Sequence, residues 1–273
     1  MLSTRFLAVS AASLLALGLA ACGGDSDSDS AAGGKEPLKV GTEGVYAPFT
    51  FHEEGTNKLT GYDVEITEAI AAKLGRKVEF SETSWDSIFA GLEAKRYDVV
   101  ANQVSITSER QAKYSFSQPY TFSSGVIVTR ADDTSVSSVA DIKGKKSAQS
   151  ATSSFGEAAT AAGAKVEPVE GLTQSLALVK QKRVDLTLND SLSILDYQKK
   201  TGDQSIKIAG SFGDPTQQAF AFRKDSDLAP QFNQALDELK ADGTLTKLSE
   251  KYFGKDVSSA STDGAATPAP SAS

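Results

Sequence analysis

Short apolar runs alternate with apolar positions at helical spacing through residues 37–256 of the chain. The runs have the length of buried strands, and the spaced positions between them predict amphipathic helices. In chain order the first predicted elements are 38–41 (strand), 64–74 (helix), 77–81 (strand), 85–92 (helix) and 98–101 (strand). Asp63 suits the N-cap of the first helix, and Gly75 follows its last turn. Such alternation predicts βαβ units and a mainly parallel sheet, so the fold class is α/β.

Two segments with similar sequences repeat one element of this pattern. Residues 95–102 read KRYDVVAN, residues 182–189 read KRVDLTLN, and each follows an amphipathic helix. We interpret them as equivalent elements of two similar lobes; chance is the alternative, because K-R-x-D is a common helix-to-strand turn. In open parallel sheets, ligands bind beyond the carboxyl ends of the strands. The polar side chains expected to converge on one cleft are therefore Asn102, Gln103, Ser105, Asn189 and Asp190.

Two extended apolar runs are predicted to cross between the lobes, Gly125–Thr129 (GVIVT) and Ala219–Arg223 (AFAFR). Two crossings imply that the second lobe is inserted into the first, and a hinge of this kind commonly closes around a ligand. The predicted first lobe comprises residues 37–125 and 219–256, and the second lobe comprises residues 126–218.

The beginning of the chain has the pattern of a targeting segment. The apolar stretch Phe6–Leu19 follows a positive residue and is too short to span a bilayer as a helix. Small residues precede Cys22 as in a bacterial lipobox, so residues 1–21 are predicted to be a lipoprotein signal peptide and Cys22 to be lipidated. An ordinary signal peptide with an incidental cysteine is the alternative. Lipidation would anchor the protein to a bacterial membrane, outside the cytoplasm, through a flexible tether at residues 22–36. Residues 257–273 are predicted to be a disordered tail.

Composition narrows the classes of function. The 273-residue chain has a formal net charge of −7, which argues against nucleic acid because phosphate binding needs a basic surface. One Cys and one His cannot build a zinc site of the usual kinds, and a single Cys excludes an intrachain disulfide. No cofactor or metal is expected.

Arg110 is the first candidate binding residue. It lies in the first turn of a short helix that Thr107 is predicted to cap, where the helix dipole disfavours a cation by up to about 1 kcal/mol. An arginine retained at such a position is consistent with ligand binding, and its guanidinium presents a bidentate fork that matches a carboxylate. A solvated surface arginine is the equally open alternative.

Candidates in the second lobe lie at predicted helix starts. Residues 149–155 (QSATSSF) precede a helix expected to begin near Ser154, whose free N–H groups can hold an anion, although simple capping is the commoner use of such residues. Asp190 is the natural counterpart for an ammonium group. Helix capping is the alternative for Asp190, and the two roles can coexist.

Aromatic residues gather near the predicted cleft. Tyr46 and Trp85 occupy loop positions and are expected to line it, because aromatic walls suit the apolar part of a ligand and exclude water. Phe49 and Phe51 are expected to lie mostly in the core.

Five stretches carry a resemblance to a known family. They read, in chain order, LKVGTEGVYAPFTF, GYDVEITEAIAAKLG, WDSIFAGLEAKRYDVV, ITSERQAKYSFSQPY and ADGTLTKLSEKYFG. Together they span about residues 38–254 and resemble the family 3 solute-binding proteins of polar amino acid ABC transporters. The stretch ANQVSITSERQAKYSFSQPYTFSSG is most similar to the cystine-binding members. The resemblance implies a two-lobed, periplasmic-binding-protein-like (type II) α/β fold with an inserted second lobe and two hinge crossings.

The resemblance also implies a role for each candidate residue. Arg110 corresponds to the arginine that grips the ligand α-carboxylate, and Asp190 to the aspartate that pairs with the α-ammonium. The other implied positions are Ser105 (hydroxyl contact), Gln103 (backbone carbonyl for the ammonium), Thr152 and Ser153 (helix N–H groups for the carboxylate), Tyr46 and Trp85 (flanking the ligand side chain) and Glu43 (near that side chain). Ala151 departs from the Gly-Thr often found in the Thr152 loop of the family.

The implied function is capture of a polar amino acid, L-cystine first, and its delivery to the permease and ATPase subunits of an ABC importer by a monomeric lipoprotein that is not an enzyme. Cysteine, glutamine and histidine are the alternative ligands. Two other classes remain as alternatives, a receptor without transport and a dehydratase on the same fold. The dehydratase lacks an obvious acid–base pair, since the only histidine, His52, lies in a predicted loop.

Overall fold

The computed structural model of the protein describes residues 35–260. The predicted signal peptide, the lipidation site Cys22, the tether up to residue 34 and the tail from residue 261 lie outside the described residues. Within residues 35–260, no helix combines the length and the apolar character needed to cross a bilayer.

The first lobe is built on a five-stranded mixed sheet. Its strands are β1 (Leu38–Thr42), β5 (Val78–Glu82), β6 (Val99–Val100), β7 (Tyr114–Phe116) and β13 (Ala221–Arg223). Their order is β5-β1-β6-β13-β7; β1 is parallel to β5 and β6, and β13 is antiparallel to both neighbours. The lobe also contains a small sheet of β2 (Val45–Tyr46), β3 (Thr50–His52) and β4 (Leu59–Thr60), and the helices α1 (Tyr62–Leu74), α2 (Trp85–Glu93), α3 (Ser108–Lys113), α7 (Leu228–Ala241) and α8 (Thr244–Phe253).

The second lobe repeats this plan. Its strands are β8 (Thr121–Arg130), β9 (Lys146–Gln149), β10 (Lys165–Pro168), β11 (Leu186–Asp190) and β12 (Ile206–Gln218), and its helices are α4 (Ser154–Ala161), α5 (Gly171–Lys180) and α6 (Ser191–Thr201), with a 3-10 turn at Val139–Ile142. The order is β10-β9-β11-β8-β12, with three parallel strands followed by antiparallel ones, as in the first lobe.

Helices cover both faces of each sheet, because successive strand residues point in opposite directions. Val99 belongs to the apolar cluster beneath α1, α7 and α8, whereas Val100 belongs to the cluster beneath α2. In the second lobe, Val126 and Val128 pack towards α5 and α6, and Ile127 packs towards α4. This double burial explains why the strands are continuous apolar runs.

The KRYDVVAN and KRVDLTLN segments are equivalent in structure, which confirms their interpretation as equivalent elements of two similar lobes. Lys95 and Lys182 both have left-handed backbones, with φ of 58° and 60°, and each ends the preceding helix. Asp98 and Asp185 then each accept a backbone N–H from the adjacent parallel strand, at 3.2 and 2.8 Å. Both segments are therefore the same helix-to-strand connection.

The lobes are joined by β8 and β12, and the predicted crossing points were wrong by several residues. Gly125–Thr129 pairs with β11 inside the second lobe, and Ala219–Arg223 leads into β13 inside the first. The chain instead crosses where residues 121–123 pair with residues 216–218, next to a register shift in the β8–β12 ladder. The apolar runs lie inside the sheets because only there are both of their faces buried.

The first-lobe core combines the two ends of the described chain. Leu38, Phe222, Leu236 and Val257 belong to one buried cluster. Val257 is 4% exposed, and its carbonyl accepts the N–H of Phe122 at 2.9 Å. The prediction that the disordered tail begins at residue 257 was therefore wrong, because an apolar side chain in a polar segment fills the core.

The opposite boundary also differs from the prediction. Lys35 Nζ donates to the carbonyl of Leu74 at 2.9 Å, and Arg76 Nε donates to the carbonyl of Glu36 at 2.8 Å. The last two residues of the predicted tether are thus bound to the carboxyl end of α1, whose free carbonyls and flanking arginine favour such contacts.

Helix α1 begins earlier than the sequence predicts. Its N-cap is Gly61, whose φ of 128° suits glycine, and a Cβ atom there would lie 2.2 Å from the carbonyl oxygen of Phe49. Asp63 is not the cap. It lies in the first turn with its side chain fully buried, where the helix dipole still favours a carboxylate.

Candidate functional site

A cleft lies between the lobes, at the carboxyl ends of β1, β6, β9 and β11. Such a position is expected for a ligand site in α/β sheets. All of the predicted site residues except Thr152 and Asp190 line it: Glu43, Tyr46, Trp85, Gln103, Ser105, Arg110 and Ser153.

Arg110 is a buried cation that forms no ion pair with any residue of the described chain. The capping hydroxyl of Thr107 accepts its backbone N–H at 3.2 Å, as predicted. Its guanidinium donates to the carbonyls of Ser105 and Thr152, at 3.1 and 3.3 Å, and lies 5.1 Å from the centroid of the Trp85 ring. Burial lowers the pKa of Arg110, so an anion in the cleft would gain a desolvated and unneutralised partner.

Asp190 lies behind the cleft wall and is 1% exposed. It caps α6 by accepting the N–H of Leu192 at 2.8 Å, and it accepts the hydroxyl of Ser123 at 2.5 Å. Burial raises the pKa of Asp190 to about 6, although the hydrogen bonds from Ser123 and Leu192 oppose this shift. Capping therefore uses only part of the carboxylate, which remains next to the cleft-lining residue Gln103.

The aromatic residues join the lobes as well as lining the cleft. The hydroxyl of Tyr46 donates to Asn189 Oδ1 across the cleft at 2.8 Å. Trp85 packs edge-on against Phe89, at 5.6 Å between centroids. Phe49 is buried in the core as predicted, but the core prediction for Phe51 was wrong, since its half-buried ring lies 4.6 Å from Lys200 Nζ of the other lobe.

Glu43 and Asn102 form a paired polar group at the first-lobe side of the cleft. Asn102 Nδ2 donates to the Glu43 carboxylate at 2.5 Å, and Asn102 Oδ1 accepts the Glu43 N–H at 2.8 Å. Burial raises the pKa of Glu43 to about 7, since the hydrogen bond from Asn102 offsets only part of the desolvation. The cleft therefore contains a carboxyl group that titrates near neutral pH.

The Thr152 loop differs from the predicted arrangement. Ser153 caps α4 by accepting the N–H of Gly156 at 3.0 Å, and its own N–H donates to Ser150. Thr152 is exposed, and its N–H and hydroxyl both donate to Asp86 Oδ1 of the first lobe, at 3.0 and 2.7 Å. The N–H groups that were expected to bind a ligand carboxylate are thus engaged within the protein.

Several residues at the site were absent from the predicted set. Gln149, Phe155 and Leu172 line the cleft, and Asp86 bridges it. Asn102 and Asn189 were predicted to face the cleft and do line it, since KRYDVVAN and KRVDLTLN each end in an asparagine at the end of a strand. No sequence pattern indicated the Asp86–Thr152 contact, since these residues are 66 positions apart and belong to unrelated local patterns.

Residues 38–255 match the family described as bacterial extracellular solute-binding proteins, family 3. This chain belongs to that family. It is 52% identical to the L-cystine-binding protein TcyA of Bacillus subtilis over 252 residues, which cover 88% of this chain and 94% of TcyA. Family 3 members act outside the cytoplasm and work with the components of ABC transporters.

Two solved structures of the family bear on the arrangement of the lobes. The unliganded, open L-cystine solute receptor of Neisseria gonorrhoeae is 53% identical, with a TM-score of 0.57 over 83% of this chain and 96% of the receptor. An ancestral arginine-binding protein with bound arginine is only 36% identical, yet its TM-score is 0.74 over 80% of this chain and 98% of its own. The lobes of this family 3 protein are therefore arranged more like those of the liganded relative, in agreement with the Asp86–Thr152 and Tyr46–Asn189 contacts across the cleft.

Proposed function

We propose that the protein is the L-cystine receptor of an ABC importer. The observation that carries the proposal is the buried Arg110, which lacks an ion pair within residues 35–260 and faces the cleft between the lobes. A positive group in the cleft and a negative group buried behind its wall match the two ionic ends of an amino acid. The choice of cystine is supported by TcyA and the gonococcal receptor, both named for that ligand.

In this proposal Arg110 binds the α-carboxylate and Asp190 the α-ammonium, with further contacts from Ser105 and the Gln103 carbonyl. Both carbonyls that now accept from the guanidinium are weaker partners than a carboxylate, because a charge-assisted bidentate pair is stronger than bonds to neutral acceptors. Ligand binding would therefore exchange two neutral acceptors for an anion.

Tyr46 and Trp85 would flank the disulfide-bearing chain, and the second head group of cystine would extend towards Glu43. Its ammonium would find the Glu43 carboxylate, which carries a negative charge above about pH 7. Cysteine, glutamine and histidine lack a second ammonium group on the side chain, so this contact would separate cystine from these alternative ligands.

Calorimetric titration tests the proposal. The wild-type protein should bind L-cystine more tightly than cysteine, glutamine or histidine, and Arg110→Ala should weaken binding by more than about tenfold, because a hydrogen bond to a charged group contributes about 1.5–3 kcal/mol. Arg223→Ala is a matched control, since Arg223 donates to the carbonyls of Leu92 and Tyr97 away from the cleft, at 3.1 and 2.7 Å. Equal affinities for Arg110→Ala and Arg223→Ala would contradict the assignment.

We also propose that the protein works as a monomeric lipoprotein without catalytic activity, attached to a bacterial membrane through Cys22. The sequence around Cys22 supports the attachment. Detergent phase partitioning should place the full-length protein in the detergent phase and Cys22→Ala in the aqueous phase. Light scattering of the soluble body tests the monomeric state, and unchanged cystine after prolonged incubation tests the absence of catalysis.

A further inference from the structure

Asp63 is a fully buried carboxyl group outside the set of cleft-lining residues. It lies in the first turn of α1, and one of its oxygens accepts the backbone N–H of Gln103 at 2.5 Å. The Tyr120 hydroxyl is a second polar neighbour. No Lys, Arg or His among the described residues forms an ion pair with it. A buried carboxyl group without a cationic partner requires a reason for its presence.

Gln103 links this carboxyl group to the cleft. It lines the cleft, is 6% exposed and has a φ of 50°, a left-handed conformation that L side chains rarely adopt. Its neighbours hold the same turn, since the N–H of Ala219 donates to the carbonyl of Val104 at 3.0 Å. The bond to Asp63 thus stabilises an unfavourable backbone at the position whose carbonyl is proposed to accept the ligand ammonium.

Asp63 also shares an electrostatic environment with Asp190. The titratable groups facing Asp63 are the phenols of Tyr46, Tyr62 and Tyr120 and the Asp190 carboxylate, and none of them is cationic. Burial raises the pKa of Asp63 to about 7, and repulsion by Asp190 adds to the shift. Two buried carboxyl groups therefore lie near each other behind the cleft wall, and neither forms an ion pair with a cationic side chain of the described residues.

We propose that Asp63 is a positioning residue for the ligand ammonium, which holds the Gln103 peptide in its left-handed conformation and adds a second negative charge behind Asp190. The inference rests on the proposed binding of an amino acid. A bound ammonium supplies the cation that the two carboxylates lack, and binding therefore requires both to be ionised.

Protonation of the two carboxyl groups should weaken ligand binding. Protons compete with the ammonium, so affinity is highest above about pH 7 and falls as the pH drops through the two pKa values. Between pH 8 and pH 5, a group of pKa about 7 weakens binding by roughly 90-fold and one of pKa about 6 by roughly tenfold, if only the ionised form binds.

Calorimetric titration with L-cystine from pH 5 to pH 8 tests the inference on Asp63→Asn. Asp185→Asn is the control, because Asp185 also accepts a backbone N–H, at 2.8 Å, but outside the cleft. We expect Asp63→Asn to lose at least tenfold in affinity at pH 8 and to flatten the pH profile, with Asp185→Asn unchanged in both. A variant profile as steep as that of the wild type would overturn the proposal, as would an affinity loss of the same size at every pH.

Melting temperatures of the ligand-free protein keep this result separate from the proposed function. If the wild type fails to bind cystine, the proposed function is wrong, and the pH dependence of melting alone decides on Asp63. Asp190 should still contribute to that dependence in Asp63→Asn, so an undiminished dependence in this variant overturns the inference. Should Asp63→Asn not fold, Tyr120→Phe replaces it. Loss of the phenol should raise the pKa of Asp63 and move the pH dependence to higher pH, and an unmoved profile would overturn the inference.

Discussion

Removal of the Asp86 carboxylate should open the cleft. Asp86 lies in the first turn of α2, and one of its oxygens accepts both the N–H and the hydroxyl of Thr152 from the other lobe. Both bonds join residues of different lobes, so they exist only when the lobes are close together. Asp86→Ala therefore destabilises the closed arrangement without removing a side-chain hydrogen bond within a lobe.

The magnitude follows from the geometry. Both bonds are short and end on a charged acceptor, but Asp86 and Thr152 are exposed and water competes for them. We therefore assign each bond the ordinary net value of about 0.5–1.5 kcal/mol, or about 1–3 kcal/mol together. Because ligand binding requires closure, Asp86→Ala should raise the Kd by about 5-fold to 150-fold.

A double-mutant cycle with Thr152→Val measures the coupling directly. Thr152→Val keeps the N–H and removes the hydroxyl, so it should cost about half as much as Asp86→Ala, and it should cost little in the Asp86→Ala background. Calorimetry gives the Kd, and small-angle scattering gives the closed fraction. Asp237→Ala is the control, since Asp237 accepts the Gln118 amide at 2.8 Å within one lobe. Strict additivity of the two changes, or an unchanged closed fraction, would refute the reasoning.

Three further predictions concern stability and closure. The free energy of unfolding of the ligand-free protein should fall as the pH rises from about 4 to about 7, because the buried Asp63 and Asp190 keep their protons over this range only when folded. Calorimetry should show a melting temperature that falls over this pH range, and a melting temperature that rises would contradict the prediction. Gly41→Ala should lower the free energy of unfolding by about 1–3 kcal/mol, because its Cβ would lie 2.4 Å from the buried Tyr97 ring. Urea denaturation measures this change, and an unchanged unfolding midpoint would contradict the prediction. Tyr46→Phe should weaken ligand binding by about twofold to tenfold through loss of its bond to Asn189, with the melting temperature of the ligand-free protein retained as the check on folding.

The sequence was a reliable guide where local chemistry decides structure. Thr107 is an N-cap as its position predicts, and Ser153 has the capping role that the sequence left open as an alternative. Lys95 and Lys182 end their helices in the same way. Local rules also misled. Asp63 has the residue type of an N-cap, but the preceding Gly61 allows the chain to enter the helix earlier, so the carboxyl group is carried into the interior.

Contacts between distant residues were beyond prediction from local patterns. Val257 looks like part of a polar tail, and only the folded first lobe reveals the apolar space that it fills. The engagement of Thr152 by Asp86 depends on how closely two lobes approach, and no spacing within either segment encodes that distance. Pattern reasoning located the cleft and most of its wall, whereas the tertiary contacts that close it had to be observed.

Because the first lobe is built from two separate stretches of the chain, the second lobe can fold before it. The second lobe is one continuous stretch and can fold once β12 has emerged during synthesis or export. The core around Leu38 waits for Val257, almost the last described residue, so the amino-terminal segment spends nearly the whole passage with its apolar surface uncovered. Chaperones are therefore expected to hold the amino-terminal segment longest, and an early stop in translation leaves it without a partner.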